Sequence, residues 1–246
     1  MPRPAQRYEV SFADGPAEIR AAQALRHEVF VRELGAPDPD PAGGLERDRF
    51  DPHCRHLLLR CDGEVVGTYR LLDGAGAVAA GGYYGETEYD IAPLRRAGRP
   101  LLELGRSCVR ADHRGGTALS EMWAALARHV AAEGIGIIFG VASFHGTDPA
   151  PLAPTLSHLA RAHPAPPDLR PRSRAHVPLE TVPPERIDRV AAMRAVPPLI
   201  KSYLRLGGFV GDGAFVDRSF NTVDLCLVLD VERIPERIRR QQGWPS

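Results

Sequence analysis

The sequence is poor in cysteine and lysine, and it carries no excess of charge of either sign. None of its four cysteines, at positions 54, 61, 108 and 226, forms a C-x-x-C pair or a cysteine–histidine cluster with metal-ligand spacing. This argues against a zinc site and a disulfide scaffold, and favours a reducing cytosol. Lys+Arg and Asp+Glu both number 31, so the chain lacks the global basic excess of non-specific nucleic-acid binders. We therefore expect no metal site and no nucleic-acid partner.

Long apolar runs are also missing. MPRPAQRYEV at the N-terminus has no signal-peptide core, and the longest apolar stretch, near 135–144, falls well short of the roughly 20 residues of a membrane helix. We expect a cytoplasmic protein whose membrane contact, where it makes one, is peripheral at the inner membrane. A hydrophobic content of 43% over 246 residues is ample for one large buried core.

The chain does contain a succession of strand and helix patterns. Apolar positions near helical spacing predict an amphipathic helix over 16–34. Two alternating runs that flank Asp62-Gly63 predict an antiparallel hairpin, because this dipeptide favours two-residue turns. The glycine-rich residues 74–85 are predicted to form a flexible loop. The expected strands are 8–12, 56–61, 64–72, 101–109, 135–142, 209–216 and 223–229.

One strand–helix–strand unit lies in the middle of the chain. The strand at 101–109 runs into DHRGGTALSEMWAALARHVAAEG, a helix opened by glycines, with its apolar residues on one face and Gly134 at its end. The apolar strand that follows is typical of a sheet centre covered on both sides. This order predicts two neighbouring parallel strands joined by a right-handed crossover.

A proline-rich segment follows this unit. Residues 149–186 show no sustained period beyond a short helix near 152–162, so we predict an insertion at about 149–196. Pro197-Pro198 then begin a helix that contains Lys201. The apolar face of this helix could dock at a membrane interface, but packing in the core is the default expectation. The insertion is also the clearest basic stretch, with arginines at positions 161, 170, 172, 174 and 186.

The strongest motif is ELGRSCV at 103–109, which feeds the glycine-opened helix. Unpaired backbone N–H groups at a helix N-terminus point outward and suit the phosphates of a pantetheine carrier. Arg114, Gly115 and Gly116 are the candidates for this contact. Glycine-opened helices are common, so the motif is weak by itself.

Two related groups of the GNAT superfamily resemble this chain. The spaced polar residues of the first half resemble those of acyl-homoserine-lactone synthases, which use acyl carrier protein. These residues are Arg26, Phe30, Glu46, Asp48, Asp51, Arg70 after Val66-Gly67, Glu103 and Arg106.

A closer resemblance spans nearly the whole chain. LELGRSCV, FGVASFHGTD and PPLIKSYLRLGGFVGDGAFVDRSFNTVDLCLVLD are similar to ornithine N-acyltransferases of ornithine-lipid synthesis. The resemblance implies an α/β (α+β) fold, with a GNAT-like mixed central sheet flanked by helices, in a single domain over 1–246. It implies an enzyme that transfers a 3-hydroxyacyl chain from acyl carrier protein to the α-amine of L-ornithine, the first step of ornithine-lipid biosynthesis. No tightly bound cofactor is expected, because the phosphopantetheine of acyl carrier protein carries the donor acyl group.

Three alternatives stay open. The enzyme could act on another amino acid such as glutamine or lysine, or it could be a signal synthase of the acyl-homoserine-lactone type. It could also be a non-catalytic module that binds acyl carrier protein or acyl chains. The long C-terminal match argues against a signal synthase, because those synthases lack it.

Aminolysis of a thioester requires a carboxylate near the amine, because an ammonium must lose a proton before it attacks. Glu103 and Arg106 are the candidate catalytic residues, with mid-strand Glu103 as base or amine-orienting group. A structural ion pair of Glu103 with Arg106 or Arg70 explains the same residues equally well. The GNAT resemblance implies that backbone N–H groups near Cys108 and Val109 polarise the thioester carbonyl.

The acceptor needs partners of both signs. The loop residues Asp48 and Asp51 are candidates to hold a positive side chain, while Arg26, Arg70 or Arg106 is a candidate to pair with the carboxylate. Helix capping and surface salt bridges are the competing explanation.

Three other residues lie in or near these motifs. Phe30 is expected in the core. Cys108 precedes a helix, where a thiolate is favoured, but no histidine is spaced to form a dyad with it. Ser143 is not in a nucleophile elbow, because no glycine lies two residues before it, so we assign it to the wall of the acyl or acceptor pocket.

Acyl carrier protein is a small and strongly acidic partner that needs a basic landing surface. Such a surface forms if the insertion folds back over the edge of the sheet that holds the glycine turn. Alternatively, the arginines of the insertion only keep a proline-rich lid soluble. The candidate arginines are Arg110, Arg114, Arg161, Arg170, Arg172 and Arg174.

Overall fold

A mixed sheet lies at the centre of the protein. The structure is a computed structural model that describes residues 7–38, 40–115 and 117–244. Its strands are β1 (Tyr8–Phe12), β2 (Arg55–Cys61), β3 (Glu64–Asp73), β4 (Tyr89–Asp90), β5 (Leu101–Val109), β6 (Ile137–His145), β7 (Arg172–Ser173), β8 (Phe209–Val210), β9 (Phe215–Asp217) and β10 (Thr222–Asp230). The main sheet has the order β1-β2-β3-β5-β6-β10-β8, with β9 also paired to β10, while β4 and β7 form a separate pair.

Helices cover both faces of the sheet. They are α1 (Pro16–Arg26), α2 (Gly74–Ala80), α3 (Ala92–Arg96), α4 (Ala118–Glu133), α5 (Ala153–Ala162), α6 (Arg189–Ala195), α7 (Pro198–Arg205) and α8 (Glu236–Gln242). A large apolar cluster joins one face to α4, α5 and α7, and a smaller one joins the other face to α2 and α3. Within the described ranges, no helix is long and apolar enough to cross a membrane.

The sheet splits between β5 and β6. These are its parallel pair, and their ladder covers three residue pairs, from Leu101↔Ile137 to Glu103↔Phe139. At the last close approach, a Cβ atom on Gly140 would lie 2.1 Å from the carbonyl oxygen of Leu104, so only glycine fits there. The later residues of both strands face a cavity between them.

A bulge bends β5 beside this split. Thr68 pairs with Cys108 and Arg70 with Gly105, so β5 has one residue more than β3 over this interval. Within the bulge, Arg106 adopts a strained backbone conformation, with φ of 48° in the left-handed region that arginine rarely occupies. Bulges of this kind redirect a side chain and interrupt pairing, often beside active sites.

Most of the expected elements are confirmed. The β2–β3 hairpin turns at Asp62 and Gly63, whose φ values of 52° and 84° match a two-residue turn. The 101–109 strand has the expected bounds, and α4 ends at Gly134 in the left-handed conformation. The two strands that α4 connects are parallel neighbours.

Three expectations about local structure were wrong. Residues 74–85 are not a flexible loop, because α2 begins there with the Asp73 side chain accepting a hydrogen bond from the backbone of Gly76. The helix over 16–34 is α-helical only to Arg26 and continues as a π-helix over His27–Glu33. The strand over 209–216 is two short strands, β8 and β9.

The helix that contains Lys201 packs into the core. Ile200, Tyr203 and Leu204 of α7 are buried in the large apolar cluster, which agrees with the default expectation. The proline-rich segment contributes to the same cluster through Leu156 and Leu159. Both segments therefore add to the main core.

Candidate active site

A cavity between β5 and β6 is lined by several of the predicted residues, and we call it the central cavity. Its walls combine aromatic rings, including Tyr69, Tyr84 and Tyr203, with the exposed ends of the two strands. Four carboxylates and one guanidinium also line it. They belong to Glu88, Glu103, Asp217, Asp224 and Arg106. Ser143 lines the same cavity, where it was expected to form a pocket wall.

Glu103 is fixed at the floor of the central cavity. Its carboxylate accepts hydrogen bonds from the backbone N–H groups of Tyr84 (2.8 Å) and Gly85 (2.5 Å), which begin a 3₁₀ helix at Tyr84–Thr87. Burial raises the pKa of Glu103 to about 7, against the opposing effect of these donors and of nearby arginines. A carboxylate with this pKa can hold or accept a proton near neutral pH.

Three arginines and three carboxylates form a buried ion-pair network next to this cavity. Arg26 is fully buried and pairs with Glu46 and Asp51, both at 2.6 Å. Arg70 pairs with Asp48 at 2.6 Å and with Asp51 at 3.1 Å. The network therefore brings together the four charged residues predicted to bind substrate, Arg26, Asp48, Asp51 and Arg70, which neutralise one another's charges.

Arg106 connects this network to the central cavity. Its guanidinium pairs with Glu46 at 2.9 Å and Asp48 at 3.2 Å. The same group lies 4.6 Å from the ring centre of Tyr84 and 4.5 Å from that of Phe220. Of the three predicted arginines, Arg106 is the one that lines the cavity.

A second recess, which we call the apolar groove, opens beside the central cavity. It is lined by Val29, Cys108, Val109, Ala118, Leu119, Pro197 and Pro198, and by Arg114 and Gly115 of the glycine turn. Four residues line both recesses, which places the junction of the two at Phe30, Leu34, Ser107 and Leu199. A long chain in the groove would therefore end at the cavity that holds Glu103.

Two residues in the groove differ from expectation. Phe30 is not a pure core residue, because it lines both recesses and makes an edge contact with Phe220 at 6.3 Å. Burial raises the pKa of the Cys108 thiol to about 12, so a thiolate is disfavoured there despite the helix that follows. A covalent cysteine intermediate is therefore not favoured.

Arg114, which precedes the two glycines at 115 and 116, is held by the residues around it. Its guanidinium bonds to Glu33 and to the carbonyl oxygen of Val109, at 2.7 Å for the latter. Gly115 has φ of 78°, a conformation that favours glycine. The third residue predicted for phosphate contact, Gly116, lies outside the described residues.

The arginines of the insertion have local partners. Arg161 pairs with Glu180 at 2.9 Å and Arg172 with Asp212 at 3.7 Å. Arg170 and Arg174 donate to backbone carbonyl oxygens, of Ala165 and Glu86 respectively. The Arg172 side chain is 67% exposed, against 29% for Arg161, so Arg172 is accessible to a partner despite its ion pair.

Sequence reasoning missed a cluster of acidic residues in the central cavity. One oxygen each of Glu88, Asp217 and Asp224 lies within 4.8 Å of the other two. Glu88 is more than a hundred residues from Asp217 and Asp224 in sequence, and no short motif connects it to them. The one available signal was Asp224 itself, a charged residue inside the apolar strand VDLCLVLD.

Comparison with known proteins places this geometry in a family. Residues 25–124 match the acetyltransferase (GNAT) domain family. An L-ornithine N(alpha)-acyltransferase of Rhodobacter capsulatus is 51% identical over 242 residues, which cover 94% of this chain and 93% of that protein. The L-ornithine N(alpha)-acyltransferase of Brucella abortus is 39% identical, with 93% and 86% covered. This chain belongs to the L-ornithine N(alpha)-acyltransferase family.

The fold agrees with that membership. FeeM, an N-acyl amino acid synthase from uncultured soil microbes, superposes with a TM-score of 0.54 over 97% of this chain and 95% of that chain, at 12% identity. Identity this low supports the fold alone. The predicted mixed sheet flanked by helices and the predicted kinship with ornithine N-acyltransferases are both confirmed.

As a member of this family, the protein is an acyltransferase that acylates an amine. The GNAT match spans the ion-pair network, Glu103, the bulge at Arg106 and the glycine turn, and it ends within α4. Asp217 and Asp224 lie outside the matched range. The residues around β5, including Glu103 and Arg106, therefore lie in the region that matches the acetyltransferase domain.

Proposed function

We propose that the enzyme transfers a 3-hydroxyacyl chain from the phosphopantetheine of acyl carrier protein to the α-amine of L-ornithine. The single observation that carries the proposal is the junction of the apolar groove with the central cavity. A thioester whose chain and pantetheine occupy the groove presents its carbonyl at Ser107. An amine in the cavity then meets it beside Glu103.

The reaction divides among a few groups. Glu103 takes a proton from the α-ammonium, directly or through a water molecule, and the free amine attacks the thioester carbonyl. Backbone N–H groups near Cys108 and Val109 stabilise the negative oxygen of the tetrahedral intermediate. The C–N bond forms first, and collapse of the intermediate then breaks the C–S bond. The nitrogen loses its second proton, and the carrier sulfur takes up one proton, from Glu103 or through water, and leaves as the thiol. Arg106 is the cavity residue suited to the carboxylate of the acceptor.

The buried network then has a supporting role. Arg26, Arg70, Asp48 and Asp51 hold the bulge of β5 and the guanidinium of Arg106 in place. We assign them to positioning the acceptor site, with Arg106 as their contact to the substrate. Arg114 and Gly115 are assigned to the pantetheine, and peripheral contact with the inner membrane stays a prediction.

The test uses purified protein, 3-hydroxyacyl carrier protein and ornithine. We expect release of free carrier thiol together with N-acylornithine in the mass spectrum, and acetyl-coenzyme A as a poor donor. Expression in a host without such aminolipids should yield the acylated amino acid in the lipid extract. Efficient acetyl transfer without an acylated carrier would contradict the proposal.

A further inference from the structure

Among the residues that the structure describes, no arginine, lysine or histidine forms an ion pair with the acidic cluster of Glu88, Asp217 and Asp224. Glu88 and Asp224 are each 3% exposed. Within the described part of the chain, Oε2 of Glu88 and Oδ1 of Asp224 are buried and have no hydrogen-bond partner. Tyr84 and Ser143 supply hydroxyl groups to Glu88 and Asp224, but no cation. A buried carboxylate oxygen without a partner is costly, and neighbouring carboxylates repel one another. Such an arrangement calls for a positively charged ligand.

The protein charges around the cluster do not meet this need. Arg106 is the guanidinium of the cavity wall, and its ion pairs go to Glu46 and Asp48. The cavity therefore presents four acidic residues and one arginine whose charge is already shared. This excess of negative charge is neutralised better by an acceptor with two ammonium groups than by an acceptor with one.

The position of the cluster relative to Glu103 fits the length of such an acceptor. Glu103 pairs with Phe139 of β6, whereas Asp224 lies opposite Ser143, four residues further along the same strand. Four residues of strand span about 13 Å along β6, and the two strand spacings of about 4.8 Å between β5 and β10 bring the Cα separation of Glu103 and Asp224 to about 16 Å. Both side chains line the central cavity, so their carboxylates face the same space. An extended ornithine, with about 6 Å between its nitrogens and two ammonium–carboxylate contacts of about 2.8 Å each, spans about 12 Å of that space.

We infer that Glu88, Asp217 and Asp224 bind the side-chain ammonium of the acceptor and so select a dibasic amino acid over neutral ones. This inference rests on the proposed function, because it presumes that the α-amine is acylated beside Glu103. Asp224 and Asp217 come from β10 and β9, and Glu88 precedes β4, so three segments meet around one charge. The cluster is a specificity site, while Glu103 serves the reacting amine.

The titration of the cluster supports this assignment. Burial, together with the charges of Asp224 and Asp217, raises the pKa of Glu88 to about 8. Burial also raises the pKa of Asp224 to about 6. An arriving ammonium favours the ionised carboxylates, so binding of ornithine near pH 7 should release protons. Calorimetry in buffers of different ionisation enthalpy measures this release.

The decisive experiment compares ornithine with 2-aminopentanoate, which has the same carbon chain without the side-chain amine. We expect the unmodified enzyme to prefer ornithine by 10²-fold or more in kcat/KM. Asp224→Asn and Glu88→Gln should each reduce kcat/KM for ornithine by 10-fold or more and leave that for 2-aminopentanoate within 2-fold. Asp212→Asn, which removes an exposed carboxylate outside the cavity, is the matched control and should change neither value.

The outcomes separate this inference from the function on which it rests. An enzyme that acylates both amino acids equally well, or variants that keep the preference, would overturn the inference and leave the acyltransferase function standing. Failure to acylate any amino acid from an acylated carrier would instead overturn the proposed function. Loss of activity in a chelator with recovery on adding Mg²⁺ would show that the cluster holds a metal ion, and the inference would be wrong. Circular dichroism identifies a misfolded variant, and the other substitution then supplies the result.

Discussion

The backbone N–H of Gly85 donates a 2.5 Å hydrogen bond to Oε1 of Glu103. A Cβ atom at position 85 would lie 2.9 Å from that oxygen. Gly85→Ala should therefore displace the carboxylate and lower kcat by about 10-fold or more, while the sheet remains folded. Gly74→Ala is the control, because its added carbon meets nothing closer than 3.7 Å. Equal activity of the two variants would show that the position of Glu103 is not critical.

Glu103→Gln keeps the shape of the side chain and removes the base. We expect a loss in rate of roughly 10²-fold or more, the usual range for general bases. Because the pKa of Glu103 is raised to about 7 and the base acts when ionised, the rate of the unmodified enzyme should rise with pH through that region. The variant should lack this rise. A folded, fully active Glu103→Gln enzyme would remove Glu103 from the mechanism.

Asp51 bridges two buried arginines, Arg26 and Arg70. Their charges hold the pKa of Asp51 well below its usual range, so its contribution to stability is present above its ordinary pKa and is lost as pH falls. Asp51→Asn should cost about 3–5 kcal/mol in the free energy of unfolding, because it leaves buried cations uncompensated. Denaturant titration measures this cost.

The exposed pair of Arg161 with Glu180 provides the comparison for Asp51. Glu180 is 54% exposed in its side chain, and Glu180→Gln should cost about 0–1 kcal/mol. If the two substitutions cost the same, the buried network does not stabilise the bulge as argued.

Contact with acyl carrier protein is best tested where the groove opens. Arg114→Glu should raise the KM for acylated carrier several-fold and leave the KM for ornithine nearly unchanged, with the effect reduced in high salt. Arg96→Glu reverses an exposed charge on α3, away from the groove, and should have no effect. Reversal of the exposed Arg172 tests whether the insertion takes part. Insensitivity to all three changes and to salt would place the landing surface elsewhere.

Local pattern was a good guide to the bounds of the central elements. The sequence predicted β5 over 101–109 to the residue, although its first four residues are all buried, as in a strand covered on both faces. The same reasoning failed at α2, where glycines suggested a loop. The alanines between them favour a helix, and Asp73 caps it. Composition alone did not show that the alanines and the cap outweigh the glycines.

The candidate site was only partly visible for a different reason. Glu103 and Arg106 share one strand and one motif, so their proximity could be predicted. Glu88 and Asp224 are more than a hundred residues apart in sequence, and only the pairing of β10 with β6 brings them to one cavity. Tertiary packing decides which carboxylates lack a cationic partner. No local sequence pattern contains this information.

The brief β5–β6 ladder has a consequence for how such enzymes diverge. It joins two halves of the sheet through three residue pairs, and the GNAT match falls entirely within the first half. On our assignment, Glu103 and the pantetheine contacts at Arg114 and Gly115 belong to the first half, whereas two of the three acidic cluster residues belong to the second. Acceptor preference can then change through residues 215–230 with little disturbance to catalysis. Exchange of this segment between relatives with different acceptors should transfer the preference.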